Sequence, residues 1–197
     1  MLDLLARKKV SRAVDPFARF VARLGMTPTM ITLAGFAIGI TGAVFIAVGE
    51  LTIGAVIVGV GALLDVLDGV LARLTQTETR RGALLDSFTD RLGEVAMWSG
   101  LAYHLGNVPD PKLVTVSIAA VCGSLLVPFL RAKAEKDGLE GRGGLLGRAE
   151  RLLIFGFGVG LSGMGLPTLD WALWILAVGT WLTVAQRFRG IWIQLGE

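Results

Sequence analysis

The chain has 197 residues, of which 53% are hydrophobic and 18% charged, with a mean hydropathy of +0.67. A soluble domain carries about a quarter charged residues, so that class is excluded and a polytopic membrane protein is expected. The net charge is only +3, no nucleic-acid partner is expected, and the single cysteine, Cys122, rules out an intramolecular disulfide.

No polar linker divides the chain, so one membrane domain is expected over 1–197. Residues 2–23 read as an amphipathic juxtamembrane helix. Arg7, Lys8, Lys9, Arg12, Arg19 and Arg23 alternate there with Leu4, Leu5, Val10, Val14, Phe17, Phe20 and Val21. A basic amphipathic helix ahead of a span lies along an anionic membrane surface. An all-α bundle of six transmembrane helices follows over 29–187, with spans near 29–48, 51–74, 81–104, 113–133, 148–164 and 169–187. The breaks between them carry Gly, Pro or polar turn chemistry. Pro28 opens the first span, since proline suits the first helical position. Lys and Arg gather in the N-terminal segment, the second and fourth loops and the C-terminal flank, whereas the opposite loops hold only Lys112. The positive-inside rule then puts both termini in the cytoplasm of a multi-pass protein of the cell membrane.

Four carboxylates interrupt this apolar pattern. Asp65 and Asp68 are spaced i, i+3, and Asp86 and Asp90 are spaced i, i+4, so each pair shares one helix face. At a rise of about 1.5 Å per residue, Asp65 lies about 21 Å along the second span and Asp86 about 8 Å into the third. Both depths fall on the cytoplasmic side of the middle of a core about 30 Å thick. An aspartate at mid-bilayer costs about 2.5–3.5 kcal/mol, and like charges in one pocket repel. An ion-pair network with Arg73, Arg80, Arg81 and Arg91 explains charge at the surface better than charge at depth. Bound divalent cations relieve both costs, and an oxygen-only set suits Mg²⁺ or Mn²⁺ rather than zinc. His104, the sole histidine, falls on the outer side, away from the carboxylates.

The pattern Asp65-x-x-Asp68-Gly69-x-x-Ala72-Arg73, eight residues, Gly82, three residues, Asp86, three residues, Asp90 fixes eight positions over 26 residues. It resembles the signature of the CDP-alcohol phosphotransferases, and the six-helix length matches as well. The resemblance implies transfer of a phosphatidyl group from a CDP-linked lipid (CDP-diacylglycerol) to an alcohol, with release of CMP. It also implies a site with two cations held by Asp65, Asp68, Asp86 and Asp90, the last doubling as proton acceptor. Gly69 would admit the nucleotide to the backbone, and Arg73, Thr79 and Gly82 would contact the CDP-lipid. The stretch "TPTMIT" is similar to a family segment that places Thr29, Met30, Ile31 and Thr32 beside the nucleotide. For Gly69, Ala72 and Gly82 the alternative is close helix packing by small residues.

The stretches "RAKAEKDGL", "GG" and "RAERLLI" resemble the branch of the family whose acceptor is inositol 1-phosphate. On that resemblance Arg131, Arg148, Arg151 and Arg187 would cradle the acceptor's phosphate, which guanidinium groups bind in forked geometry. Arg131 stands where that branch usually has lysine. The runner-up acceptor is glycerol 3-phosphate, and a homodimer is the family expectation. Two other classes, a divalent-cation transporter and a structural membrane protein, are disfavoured. Neither has a use for carboxylates at matched depth together with a phosphate cradle.

Overall fold

The structure, a computed structural model, describes residues 16–108 and 110–196. Every regular element among them is a helix. Residues 16–23 form α1, and then come α2 (Pro28–Ala47), α3 (Leu51–Thr75), α4 (Arg80–Gly106), α5 (Pro111–Lys136), α6 (Arg148–Ser162) and α7 (Leu169–Leu195). Helices α2 to α7 sit where the apolar runs predicted them. The largest difference is α7, which continues about two turns past Arg187. The expected basic residues Arg7, Lys8, Lys9 and Arg12 of the amphipathic segment lie outside the described residues.

Among the described residues four helices, α2, α3, α5 and α7, are long and apolar enough to cross a bilayer. Between 33% and 44% of each such stretch is buried within the protein, and the rest presents apolar side chains outward. A water-soluble protein does not tolerate apolar surface on that scale. Trp171 and Trp192, both exposed, stand near opposite ends of α7, about 31 Å apart at the helical rise. That separation matches the spacing of the two interfaces where tryptophan concentrates. Helix α4 carries six charges between Arg80 and Glu94, and α6 has only 15 residues.

Two compact units make up the chain. One comprises the described residues up to Thr41 together with Ile57–Ala96, and so holds α1, the first part of α2, most of α3 and the charged part of α4. Its core is Ala18 and Val21 of α1, Ile31 of α2 and Leu67, Val70 and Leu71 of α3. Helices α2 and α3 approach closely where Gly61 meets Gly35, since a Cβ on Gly61 would lie 2.8 Å from the Gly35 carbonyl oxygen. The helix starts are capped as the sequence dictates. Thr27 Oγ1 accepts from the Met30 amide at 3.3 Å ahead of Pro28, and Thr79 Oγ1 accepts from the Gly82 amide at 3.0 Å.

The other unit comprises Gly42–Val56 and the chain from Met97 onward. In it α7 packs on both α5 and α6, and Trp98 meets Phe155 edge to face with ring centroids 5.1 Å apart. Gly100 of α4 lies against the backbone of Ala43 of α2. A Cβ there would overlap the Ala43 carbonyl oxygen and stand 3.0 Å from its carbon. Backbone cannot step aside as a flexible side chain can, so Gly100→Ala is expected to cost about 1–3 kcal/mol. Thermal unfolding in detergent should drop by about 5 °C or more. Gly156→Ala, with nothing within 4 Å of its new methyl, should leave the midpoint unchanged or slightly raised. Equal midpoints for the two variants would show that the α2–α4 contact is not tight.

Candidate metal centre

Asp65 and Asp68 come from α3 and Asp86 from α4, and one carboxylate oxygen of each lies within 4.8 Å of the others. Asp68 is buried, with 5% of its surface exposed, while Asp65 and Asp86 are half-buried. Three like charges at that distance repel by about 3 kcal/mol per pair at an effective dielectric of about 20. A divalent cation among them converts each repulsion into a shared attraction. Hard carboxylate oxygens, with no histidine or thiol beside them, fit Mg²⁺ or Mn²⁺.

The most buried of the three is held from a third helix. Thr32 of α2 donates its hydroxyl to Asp68 Oδ2 at 2.5 Å, and the same hydroxyl lies 3.0 Å from the Pro28 carbonyl. A partner of this kind fixes the rotamer of a ligating carboxylate. Thr32→Val is therefore expected to weaken Mn²⁺ binding by about ten- to a hundredfold, while Thr32→Ser keeps most of the affinity. Titration of Mn²⁺ into the purified protein, followed by electron paramagnetic resonance, reads this directly. Equal affinities for threonine and valine would remove the orienting role.

Asp90 stands one turn beyond Asp86 on α4. Its Oδ2 lies 3.7 Å from Arg91 Nη2, and Arg91 also pairs with Glu94. Three of the four aspartates expected as ligands thus lie together.

The residues expected around the nucleotide divide by environment. Thr29 and Met30 are exposed, but the Ile31 side chain is 1% exposed and belongs to the core with Leu67, Val70 and Leu71. Thr79 spends its hydroxyl on the α4 cap. Close packing does not account for Gly69, because a Cβ there would meet only Arg73 Nη1, at 3.9 Å. Arg73 is exposed in the last turn of α3.

In the other unit, Arg187 lies within electrostatic reach of Arg131, Arg151 and Glu135, and Glu135 of Arg131, Arg142 and Arg187. Arg131 Nε donates to Glu135 Oε1 at 2.8 Å. Arg187 donates through Nε to the Gly143 carbonyl at 2.9 Å and through Nη1 to the Val127 carbonyl at 2.8 Å. Arg151 is 6% exposed, whereas Arg148, one turn earlier on α6, is exposed. Around Arg187 two further guanidinium groups stand against one carboxylate, an excess of positive charge that suits an anionic ligand.

Fold and site together define a helical membrane protein with an oxygen-only carboxylate cluster able to hold a cation in one unit and an arginine cluster in the other. The chain belongs to the CDP-alcohol phosphatidyltransferase family, whose model matches residues 25–187, and it is a transferase. It is 37% identical over 194 residues to phosphatidylinositol phosphate synthase of Mycolicibacterium smegmatis, covering 95% of this chain and 87% of that one. To the Mycobacterium tuberculosis enzyme of the same name it is 34% identical over 201 residues, covering 99% and 93%. Among solved structures it is similar to M. tuberculosis phosphatidylinositol phosphate synthase with CDP-DAG bound, at a TM-score of 0.85 and 35% identity over 92% of this chain and 94% of that one. The complex of that enzyme with manganese and citrate gives a TM-score of 0.85 at 34% identity, over 91% and 88%.

Proposed function

We propose that the chain transfers the phosphatidyl group of CDP-diacylglycerol to inositol 1-phosphate, forming phosphatidylinositol phosphate and CMP. The observation that carries this reading is the convergence of Asp65, Asp68 and Asp86, at positions of the family signature, in a chain alike along nearly its whole length to synthases of that name.

In this reading Asp65, Asp68, Asp86 and Asp90 hold two cations, Mg²⁺ or Mn²⁺. Bound there, the cations neutralise the donor diphosphate and stabilise charge on the attacking and leaving oxygens. Asp90 accepts the proton of the acceptor hydroxyl, which is a weak nucleophile until it is deprotonated. The freed oxygen bonds to the phosphorus that carries the diacylglycerol, and the bond from that phosphorus to the CMP oxygen breaks. Arg73 and the open face at Gly69 receive the nucleotide diphosphate, with Thr29 to Thr32, Thr79 and Gly82 nearby. Arg131, Arg148, Arg151 and Arg187 bind the phosphate that the acceptor already carries. The whole chain acts as one domain of six spans preceded by an amphipathic helix. Termini and catalytic carboxylates face the cytoplasm, and two copies form a homodimer. The bilayer-length helices, the exposed Phe17, Phe20 and Leu24 beside Arg19 and Arg23, and the basic loops support that arrangement.

The test is CMP release by purified protein given CDP-diacylglycerol and one alcohol at a time. Release is expected with inositol 1-phosphate and not with free inositol. Release with glycerol 3-phosphate alone would move the chain to the other acceptor. Arg151→Ala is expected to raise the acceptor KM about tenfold or more, the equivalent of one lost charge-assisted hydrogen bond, with CDP-lipid binding nearly intact. Arg151→Lys should recover only part, because an ammonium lacks the guanidinium fork. An unchanged acceptor KM in Arg151→Ala would take the arginine out of acceptor binding.

A further inference from the structure

The segment 137–147 joins α5 to α6 and leads directly into Arg148 and Arg151. Little within it favours one conformation. Gly143 and Gly144 are consecutive and both left-handed, at φ +115° and +99°, and glycine pairs leave a chain many alternatives. Its first residues bond back to the end of α5, Leu139 N–H to the Ala134 carbonyl at 2.9 Å; from Glu140 to Leu146 the bonds go to α7. Leu146 N–H donates to Thr183 Oγ1 and Leu145 N–H to Gln186 Oε1, each at 2.9 Å. Further along, Glu140 N–H donates to Gln194 Oε1 at 2.9 Å, and Gln194 Nε2 returns a bond to the Glu140 carbonyl at 3.0 Å. Arg187 takes the Gly143 carbonyl between them. Thr183, Gln186, Arg187 and Gln194 fall on one face of α7 by helical spacing. The same face opens at Gly179, where a Cβ would strike the Leu146 side chain. On the loop side, a Cβ on Gly144 would strike Thr183 Cγ2, so this glycine is required by space as well as by φ. At the far side a Cβ on Gly141 would lie 2.7 Å from Arg131 Cα. The segment is thus fitted between α7 and the Arg131 turn of α5.

We propose that Thr183, Gln186 and Gln194 are positioning residues for the acceptor: by fastening the backbone of 140–146 to α7, they fix where the first turn of α6 presents Arg148 and Arg151 to the acceptor's phosphate. This rests on the reading of the arginines as the acceptor's phosphate ligands. Backbone groups that would otherwise need water find side-chain partners that the helix supplies in fixed register. Loss of one such bond frees the α5–α6 segment and spreads the arginines over several placements. Affinity for a small dianion then falls, while the donor, held by other residues, is unaffected.

The test uses full-length protein in lipid nanodiscs, with hydrogen exchange and steady-state kinetics read together. In the wild type, the peptide covering 140–146 should exchange slowly. Thr183→Val and Gln186→Leu should speed that exchange and raise the acceptor KM about five- to tenfold, with kcat and the CDP-diacylglycerol KM within about twofold. Thr183→Ser keeps the hydroxyl and Gln186→Glu keeps the accepting oxygen, so both should stay near wild type. Thr183 is fully buried. If its valine variant does not fold, Gln186→Leu and Gln194→Leu decide the matter. Faster exchange with an unchanged acceptor KM overturns the proposal, as does a parallel rise in both KM values. So does a wild-type loop that exchanges as fast as free peptide. Failure of the acceptor reading looks different: the wild type then turns over no phosphorylated alcohol, whatever the exchange rates.

Discussion

Asp68→Asn is expected to lower CMP release by about three orders of magnitude or more, and Asp65→Asn and Asp86→Asn to do nearly the same. The amide keeps the shape and removes the charge. A cation bound among three carboxylates contributes several kcal/mol of charge stabilisation to phosphoryl chemistry, and each 1.36 kcal/mol is about tenfold in rate. Stability should move in the opposite direction. Without metal, the three oxygens within 4.8 Å of one another repel, so removing one charge relieves the folded state. In EDTA the thermal midpoints of the three variants are expected at or above that of the wild type. Added Mn²⁺ should raise the wild-type midpoint by mass action and leave the variants nearly unmoved. Two measurements decide it, CMP release and a thermal melt with and without Mn²⁺. Full turnover in any two of the variants, or an equal Mn²⁺ shift in all four proteins, would sink the metal centre.

Asp90→Asn should separate chemistry from binding. Its carboxylate lies beside Arg91, which Glu94 also engages. General-base assistance contributes about 10²–10⁴ in rate. The variant should lose that factor in single-turnover transfer with enzyme in excess, because proton transfer occurs only in the transition state. CDP-diacylglycerol binding should persist, with Mn²⁺ affinity weakened less than in Asp68→Asn. A fast single turnover, or a loss of donor binding equal to that of Asp68→Asn, would reassign Asp90 from base to ligand alone.

Much of this molecule is written in short-range order. Apolar runs set off by Gly, Pro and polar turns located α2 to α7, because helix length and breakers are local properties of the chain. Spacings of three and four put Asp65 with Asp68, and Asp86 with Asp90, on single helix faces. The oxygen-only chemistry of the centre was legible for the same reason, since it depends on residue types and not on their approach. The three-dimensional choices were not legible. That Asp65, Asp68 and Asp86 converge depends on how α3 and α4 are rotated about their axes. Thr32 reaches Asp68 across 36 residues, and Ile31, its neighbour in sequence, turns into the core. The glycine pair at 143–144 signalled a turn, but only the packing of α7 against the α5–α6 segment showed that Thr183 and Gln186 hold it. Rules of propensity and periodicity act over about four residues. Which faces of separate helices meet is set by crossing angle and side-chain interlocking, and those are fixed only when the whole bundle packs.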